Sequence, residues 1–186
     1  MIKLNKQFYL FLCIVGFLSF GLKGEQASGN TSDTYPPFEE LFYEIGYTTV
    51  ENALEDFNRH FNKELKLPTR VPPISFSHYF GRFNNLEGEN NDTLEVIYVN
   101  EQSVEHHFKI DVRPIEHKIS FENMPSKDYK LKNGSQAKYS ENLIRGFHLL
   151  IFETDLWQYV FSIDKNVSDE VTSDILVEIA NSIDFN

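Results

Sequence analysis

Four side chains on one short stretch, His107, Lys109, Asp111 and Arg113, alternate with Phe108, Ile110 and Val112. Period-two alternation sends the first four to one face of a β-strand and the apolar three to the other. A base, two cations and a carboxylate in such a row can contact a polar or charged ligand, so these four residues are the ligand-binding candidates of the chain. The same row also reads as a wet sheet surface laced with cross-strand ion pairs, and its regular charge alternation favours that second reading.

Other chemistry is harder to place. His106 and His107 are adjacent on a strand and point to opposite faces, so they do not chelate one ion. His60, His78, His117 and His148 lack a second ligand at helical or strand spacing; convergence of His78, His117 and His148 around one pocket would favour catalysis. No Gly-x-Ser-x-Gly turn occurs, and Cys13 is the only thiol. The nine glycines are scattered rather than gathered in a phosphate loop, with Gly81, Gly88 and Gly134 expected in turns. Glu87, Glu89 and Asp92, with Asn90 and Asn91, form an acidic stretch whose spacing differs from a helix-loop-helix calcium site and suits a solvated loop. No catalytic residue, metal site or cofactor is therefore expected.

The elements that must position the row follow from the rest of the chain. Lys3 and Lys6 precede fifteen uncharged residues from Phe8 to Leu22. That pattern matches a signal peptide and is short of the ~20 apolar residues of a membrane span. Residues 1–24 are thus read as a signal peptide or N-terminal anchor, and the small polar residues 25–37 as a flexible tether. A single domain is expected over residues 38–186, placed outside the cytoplasm, either secreted or tethered to the membrane through the N-terminal segment.

All 28 acidic residues follow Gly24, so losing residues 1–24 with their three lysines would take the formal charge from −11 to −14. A field of that sign disfavours nucleic acid and anionic membrane surfaces. Aromatics at 15% and hydrophobics at 41% supply a packed core. The domain has no cysteine, which suits a bacterial protein large enough to be held by burial alone.

Thr48 with Glu51 resembles a capping box, and Val50, Ala53, Leu54, Phe57 and Phe61 recur at spacings of three and four, predicting a helix from about Thr49 to Leu65. Pro68, Pro72 and Pro73 are expected to stop it. Leu94 to Val99 and His107 to Arg113 read as one hairpin, with Pro114 ending the pairing or marking an edge. Tyr129 to Lys132 and Ser135 to Tyr139 read as a second hairpin across a two-residue Asn133-Gly134 turn. Phe147 to Phe152 and Leu156 to Phe161 read as a third, apolar on both faces and therefore central. Thr172 or Ser173 caps a last helix with Ile175, Leu176, Ile179, Ala180 and Ile183 on one face. The fold class is α+β: a curved antiparallel sheet with two helices on one face, after the N-terminal signal segment.

Leu131-Lys132-Asn133-Gly134, the strand Phe147 to Glu153, the strand Trp157-Gln158-Tyr159-Val160-Phe161-Ser162 and the helix Ile175 to Ile183 carry a resemblance. Together they resemble an uncharacterised extracytoplasmic domain family of Bacillus-type bacteria, a domain of unknown function seen in solitary exported proteins and in anti-sigma-type regulators. The resemblance implies a distant likeness to lipoprotein-carrier half-barrels and brings no functional residue with it. The expected function is that of an exported cell-envelope domain, a non-enzymatic binding or sensing module for a peptide, protein or lipid-like ligand; the alternative is an envelope-acting hydrolase.

Overall fold

The computed structural model describes residues 36–86, 88 and 91–185. The signal or anchor assigned to residues 1–24 lies outside them, as does the tether except for Pro36 and Pro37. Among the described residues no helix is long and apolar enough to cross a membrane.

Two short helices precede the sheet. Helix α1, Phe38–Glu44, is not anticipated by the sequence pattern; Pro37 leads into it and Glu39 and Glu40 stand in its first turn, where negative charge suits the helix dipole. Helix α2, Val50–Phe61, is capped by Thr49, whose side chain accepts from the Asn52 amide at 3.2 Å. The expected cap, Thr48, instead forms a β-bridge to Gly81. The helix also ends earlier than its apolar period suggests. Asn62 takes a left-handed conformation at φ 49, and the Asn58 side chain accepts from the Leu65 amide at 2.9 Å, so asparagine chemistry stops the helix before the prolines are reached.

Seven antiparallel strands follow: β1 His78–Asn84, β2 Thr93–Val99, β3 His107–Pro114, β4 Lys127–Lys130, β5 Gln136–Ile144, β6 Phe147–Glu153 and β7 Trp157–Asp164. Their order in the open sheet is β1-β2-β3-β7-β6-β5-β4. Helix α3, Ser173–Ala180, closes the chain, with the Thr172 hydroxyl accepting from the Ile175 amide. The fold is α+β, with α2 and α3 on one face of the curved sheet. Phe57, Leu176, Ile179 and Ala180 from those helices share a core with Leu94, Phe108, Ile110, Phe152, Tyr159 and Phe161 from the sheet. Aromatic contacts tie the layers, with Phe57 5.0 Å from Trp157 and Phe152 stacked on Tyr159 at 4.8 Å.

The three expected hairpins form, and strands β7 and β6 lie inside the sheet, as their two-sided apolar pattern requires. Strand β3 is also interior, paired to β2 and β7, and Pro114 closes its ladder opposite Trp157. At Asn133-Gly134 the turn differs in detail. Gly134 alone has positive φ, its amide reaches the Leu131 carbonyl at 3.0 Å, and Leu131 N–H reaches the Ser135 carbonyl at 2.9 Å. That is a three-residue loop with glycine in the left-handed position, which leaves Asn133 in ordinary backbone space.

Strand β1 escapes the sequence pattern because Gly81 reads as a turn residue. It lies mid-strand, where a Cβ would stand 2.8 Å from both Ala53 Cβ and Val50 Cα. Glycine is needed there so that α2 can approach the sheet. The edges are blunted: Thr48 bridges part of β1, and β4 is four residues long and carries Lys127, Asp128 and Lys130.

Candidate functional site

The pairing registers define the sheet face turned away from α2 and α3. One rung runs Phe80, Ile97, Lys109, Ser162, Leu149 and Ser140; the next runs Arg82, Glu95, Asp111, Val160, Ile151 and Lys138. His107 lies on the rung above these two, beside Val99, and Arg113 on the rung below, beside Gln158. The whole row predicted from the sequence is therefore brought onto one face, across the middle of the sheet.

That face is not wet. His107 is 6% exposed, Lys109 and Asp111 3% each and Arg113 7%, so the expectation of a solvated surface is corrected. The reason is position: β3 has neighbours on both sides, and helix α1 with the segment after it lies across β1 and β2. Phe42 stacks on Phe80 at 4.5 Å, and the Tyr47 hydroxyl donates to Glu95 Oε1. On the other side of the face, Ile119 donates its amide to the Gln158 side chain at 2.9 Å and its carbonyl accepts from the same side chain at 2.9 Å.

Between these flanks lies a buried charge network. Glu95 Oε1 accepts from Arg82 at 2.9 Å, and the Lys109 ammonium lies 3.4 Å from Glu95 Oε2 and 3.1 Å from Asp111 Oδ1. The Arg82 guanidinium also sits 4.4 Å above the Tyr47 ring and donates to the Ile45 carbonyl at 3.0 Å. Burial opposes ionisation of Glu95, but Lys109 and Arg82 outweigh it and hold the carboxyl below its usual range. Burial likewise opposes the Lys109 charge, and the two carboxylates overcome it, raising its pKa. At Asp111 desolvation wins over Lys109, and its pKa is pushed up to about 6. Desolvation brings His107 down to about 4, so its ring is neutral at pH 7, and lowers Arg113 against the pull of Asp111.

Five buried side-chain atoms among the described residues have no hydrogen-bond partner: Arg82 Nε, His107 Nε2, Asp111 Oδ2, Arg113 Nε and Ser162 Oγ. All five belong to this one face. An unpartnered buried polar atom costs about 1–3 kcal/mol, so such atoms are scarce in folded proteins, and here all five lie on one face of the sheet. Beyond the charges, Leu149, Ile151 and Val160 continue the face as an apolar floor, all buried. At its rim a cavity of about 340 Å³ is lined by Lys118, Phe121, Glu122, Lys138, Ile151 and Glu153, among others.

The histidines disperse. His60 meets Asp92 at 3.0 Å, His78 lies by Ser77 and Glu39, His106 by Ser75, and His148 bonds the Tyr139 hydroxyl at 2.7 Å, while His117 ends a 3₁₀ turn at Ile115–His117. Among the described residues no three or more histidine, cysteine or acidic side chains gather as metal ligands. Asp92 is not part of a solvated loop: it is 2% exposed, and its other oxygen accepts from the Leu86 amide at 3.0 Å. Glu87, Glu89 and Asn90 lie outside the described residues.

Sequence reasoning missed Arg82, Glu95, Tyr47 and Ser162. Glu95 carried a usable signal, a single charge inside the apolar run Leu94 to Val99. Arg82 carried none while its strand went unrecognised. No family model, curated protein or solved structure matches the chain, and the face stands on its own chemistry.

Proposed function

We propose that this chain is an exported cell-envelope domain, a non-enzymatic binding or sensing module that holds a peptide, protein or lipid-like ligand on the sheet face opposite α2 and α3. The supporting observation is the set of five orphaned polar atoms beside a buried apolar floor. Ligand sites combine apolar lining with a few convergent polar groups, and this face has both. The resemblance to extracytoplasmic regulator and lipoprotein-carrier-like domains points the same way.

The envelope-acting hydrolase has less support. His107 Nε2 and Ser162 Oγ make no hydrogen bond among the described residues, so no base is engaged with that hydroxyl. Native mass spectrometry of the full-length protein, purified from its own envelope without denaturant, tests the proposal. A stoichiometric bound mass that is lost on Arg113→Met is the expected result. An unliganded protein that turns over an envelope substrate would sink it.

A further inference from the structure

We propose that the part of this face formed by β1 and β2 is a docking site for an amphipathic helix of a partner protein, and that the chain's own α1 fills it as a displaceable internal occupant. The proposal rests on the binding reading above and narrows it to a helical peptide.

The occupant in place shows what the site recognises. Phe38 and Phe42, one helical turn apart, turn toward the sheet: Phe42 stacks on Phe80 at 4.5 Å, and Phe38 lies 5.0 Å from the His78 ring. Tyr47 follows, with its ring 6.4 Å from that of Phe80 and its hydroxyl donating to Glu95. Around these anchors the strand supplies cations. His78 Nε2 is 3.6 Å from Glu39, and Arg82 donates to the Ile45 carbonyl at 3.0 Å. A carbonyl at a helix C-terminus has no partner within the helix, so Arg82 holds a helix end whatever side chain stands there. The matching ligand is an acidic helix bearing the pattern Phe-x-x-x-Phe-x-x-x-x-Tyr, bound as a helix in a groove.

The same contacts make α1 separable. Phe42 and Tyr47 join Phe80, Ile97 and Val99 in a small apolar cluster distinct from the core under α2 and α3, so α1 can leave without opening that core. Seven residues do not hold a helix in water by themselves, and α1 has neither a side-chain N-cap nor a cation in its last turn. It is held from one side. Leu41 and Ile45 on the other are 47% and 56% exposed. Its link to the sheet runs from Ile45 to Thr48, which bridges Gly81, so α1 can swing out with no strand unthreaded.

An internal occupant weakens an external one in proportion to the time it spends in the site. A fluorescent peptide with the sequence of residues 36–48 is the probe, titrated into the full-length parent and into the full-length variant carrying Phe38→Ala and Phe42→Ala. It should bind one per chain with amide shifts in β1 and β2, about tenfold or more tighter to the variant than to the parent. Phe42→Ala within the peptide should abolish binding, and Tyr47→Phe should weaken it. Hydrogen exchange of the parent supplies a reading that does not depend on the variant folding. The Ile45, Gly46 and Tyr47 amides, bonded to the Phe42 and Tyr43 carbonyls, should exchange about a hundredfold or more faster than those of β3 and β7. Equal protection would overturn the proposal, because α1 would then leave only on global unfolding. A parent dimer that the double variant dissolves would overturn the partner assignment in favour of α1 exchanged between two copies. No peptide binding, with a bound mass still present on the native protein, would overturn the proposal and leave the binding reading standing; absence of both would sink both.

Discussion

The two faces of one sheet contrast sharply in how they are satisfied. Toward α2 and α3 the strands present Leu94, Val96, Phe108, Ile110, Val112, Phe152, Tyr159 and Phe161, a continuous apolar layer. The buried tyrosines there have partners, since Tyr159 donates to the Lys66 carbonyl at 2.9 Å and the Tyr139 hydroxyl bonds His148 at 2.7 Å. Toward the other side the same strands present Arg82, Glu95, Lys109, Asp111 and Arg113, and every orphaned buried atom among the described residues lies there. Apolar packing is concentrated on the first face, and unsatisfied polar capacity on the second. The proposed site draws on this division, because a site must keep groups free for a partner.

The sharpest way to break the comparison is to cut each face at its centre. Phe57→Ala removes a fully buried ring between α2 and the sheet and should cost about 3–5 kcal/mol in urea unfolding. Lys109→Met should cost a similar ~3–5 kcal/mol, because it strands Glu95 and Asp111 without their shared cation. Here the faces part. Replacing Glu95, Lys109 and Asp111 together by apolar residues should recover most of the loss, whereas no second polar change rescues Phe57→Ala. Failure of the triple replacement to recover stability would mean that the charges themselves hold the fold.

A smaller effect tests the helical face alone. Gly81→Ala forces a methyl against Ala53 and Val50 and should cost about 1–3 kcal/mol, partly restored by Ala53→Gly. An unchanged unfolding midpoint would show that α2 can move aside.

The smallest effect belongs to the charged face and is read as a slope against pH. His107 is depressed to about 4, so its contribution to stability rises with pH from there to its unfolded value near 6.5. Asp111 is raised to about 6, so its contribution falls as pH rises from its unfolded value of 3.8. Between pH 4 and 6 the two oppose each other, with Lys109 and Arg113 on the same strand and Glu95, Arg82 and Tyr47 facing from β2, β1 and the segment after α1. Relative to the parent, Asp111→Asn should make stability climb more steeply over that range, and His107→Gln should make it fall, each by up to about 1.4 kcal/mol per pH unit. Identical slopes in both variants would show that neither group titrates there.

Much of this architecture is legible in the order of the residues alone. The alternation at His107 to Arg113, the two-sided apolar strands at Phe147 and Trp157, and the stripe from Ile175 to Ile183 each point to the right element. The errors have two causes. Gly81 follows no local propensity, because its role comes from the approach of α2 to β1. Asn62, in contrast, follows the left-handed preference of asparagine at a helix end, a local signal overshadowed by the apolar period that runs on to Leu65.

The sequence by itself determined which side chains share the polar row, because a strand's two-residue period is a local property of the backbone. It could not show whether that row meets water. Only the tertiary structure decided this, by placing β3 between β2 and β7, bringing Glu95 and Ser162 into register, and laying Tyr47 and Ile119 against the flanks. Burial is a property of everything packed around a residue. The same four side chains are a solvated stripe on an edge strand and a desolvated charge network at the centre of a sheet.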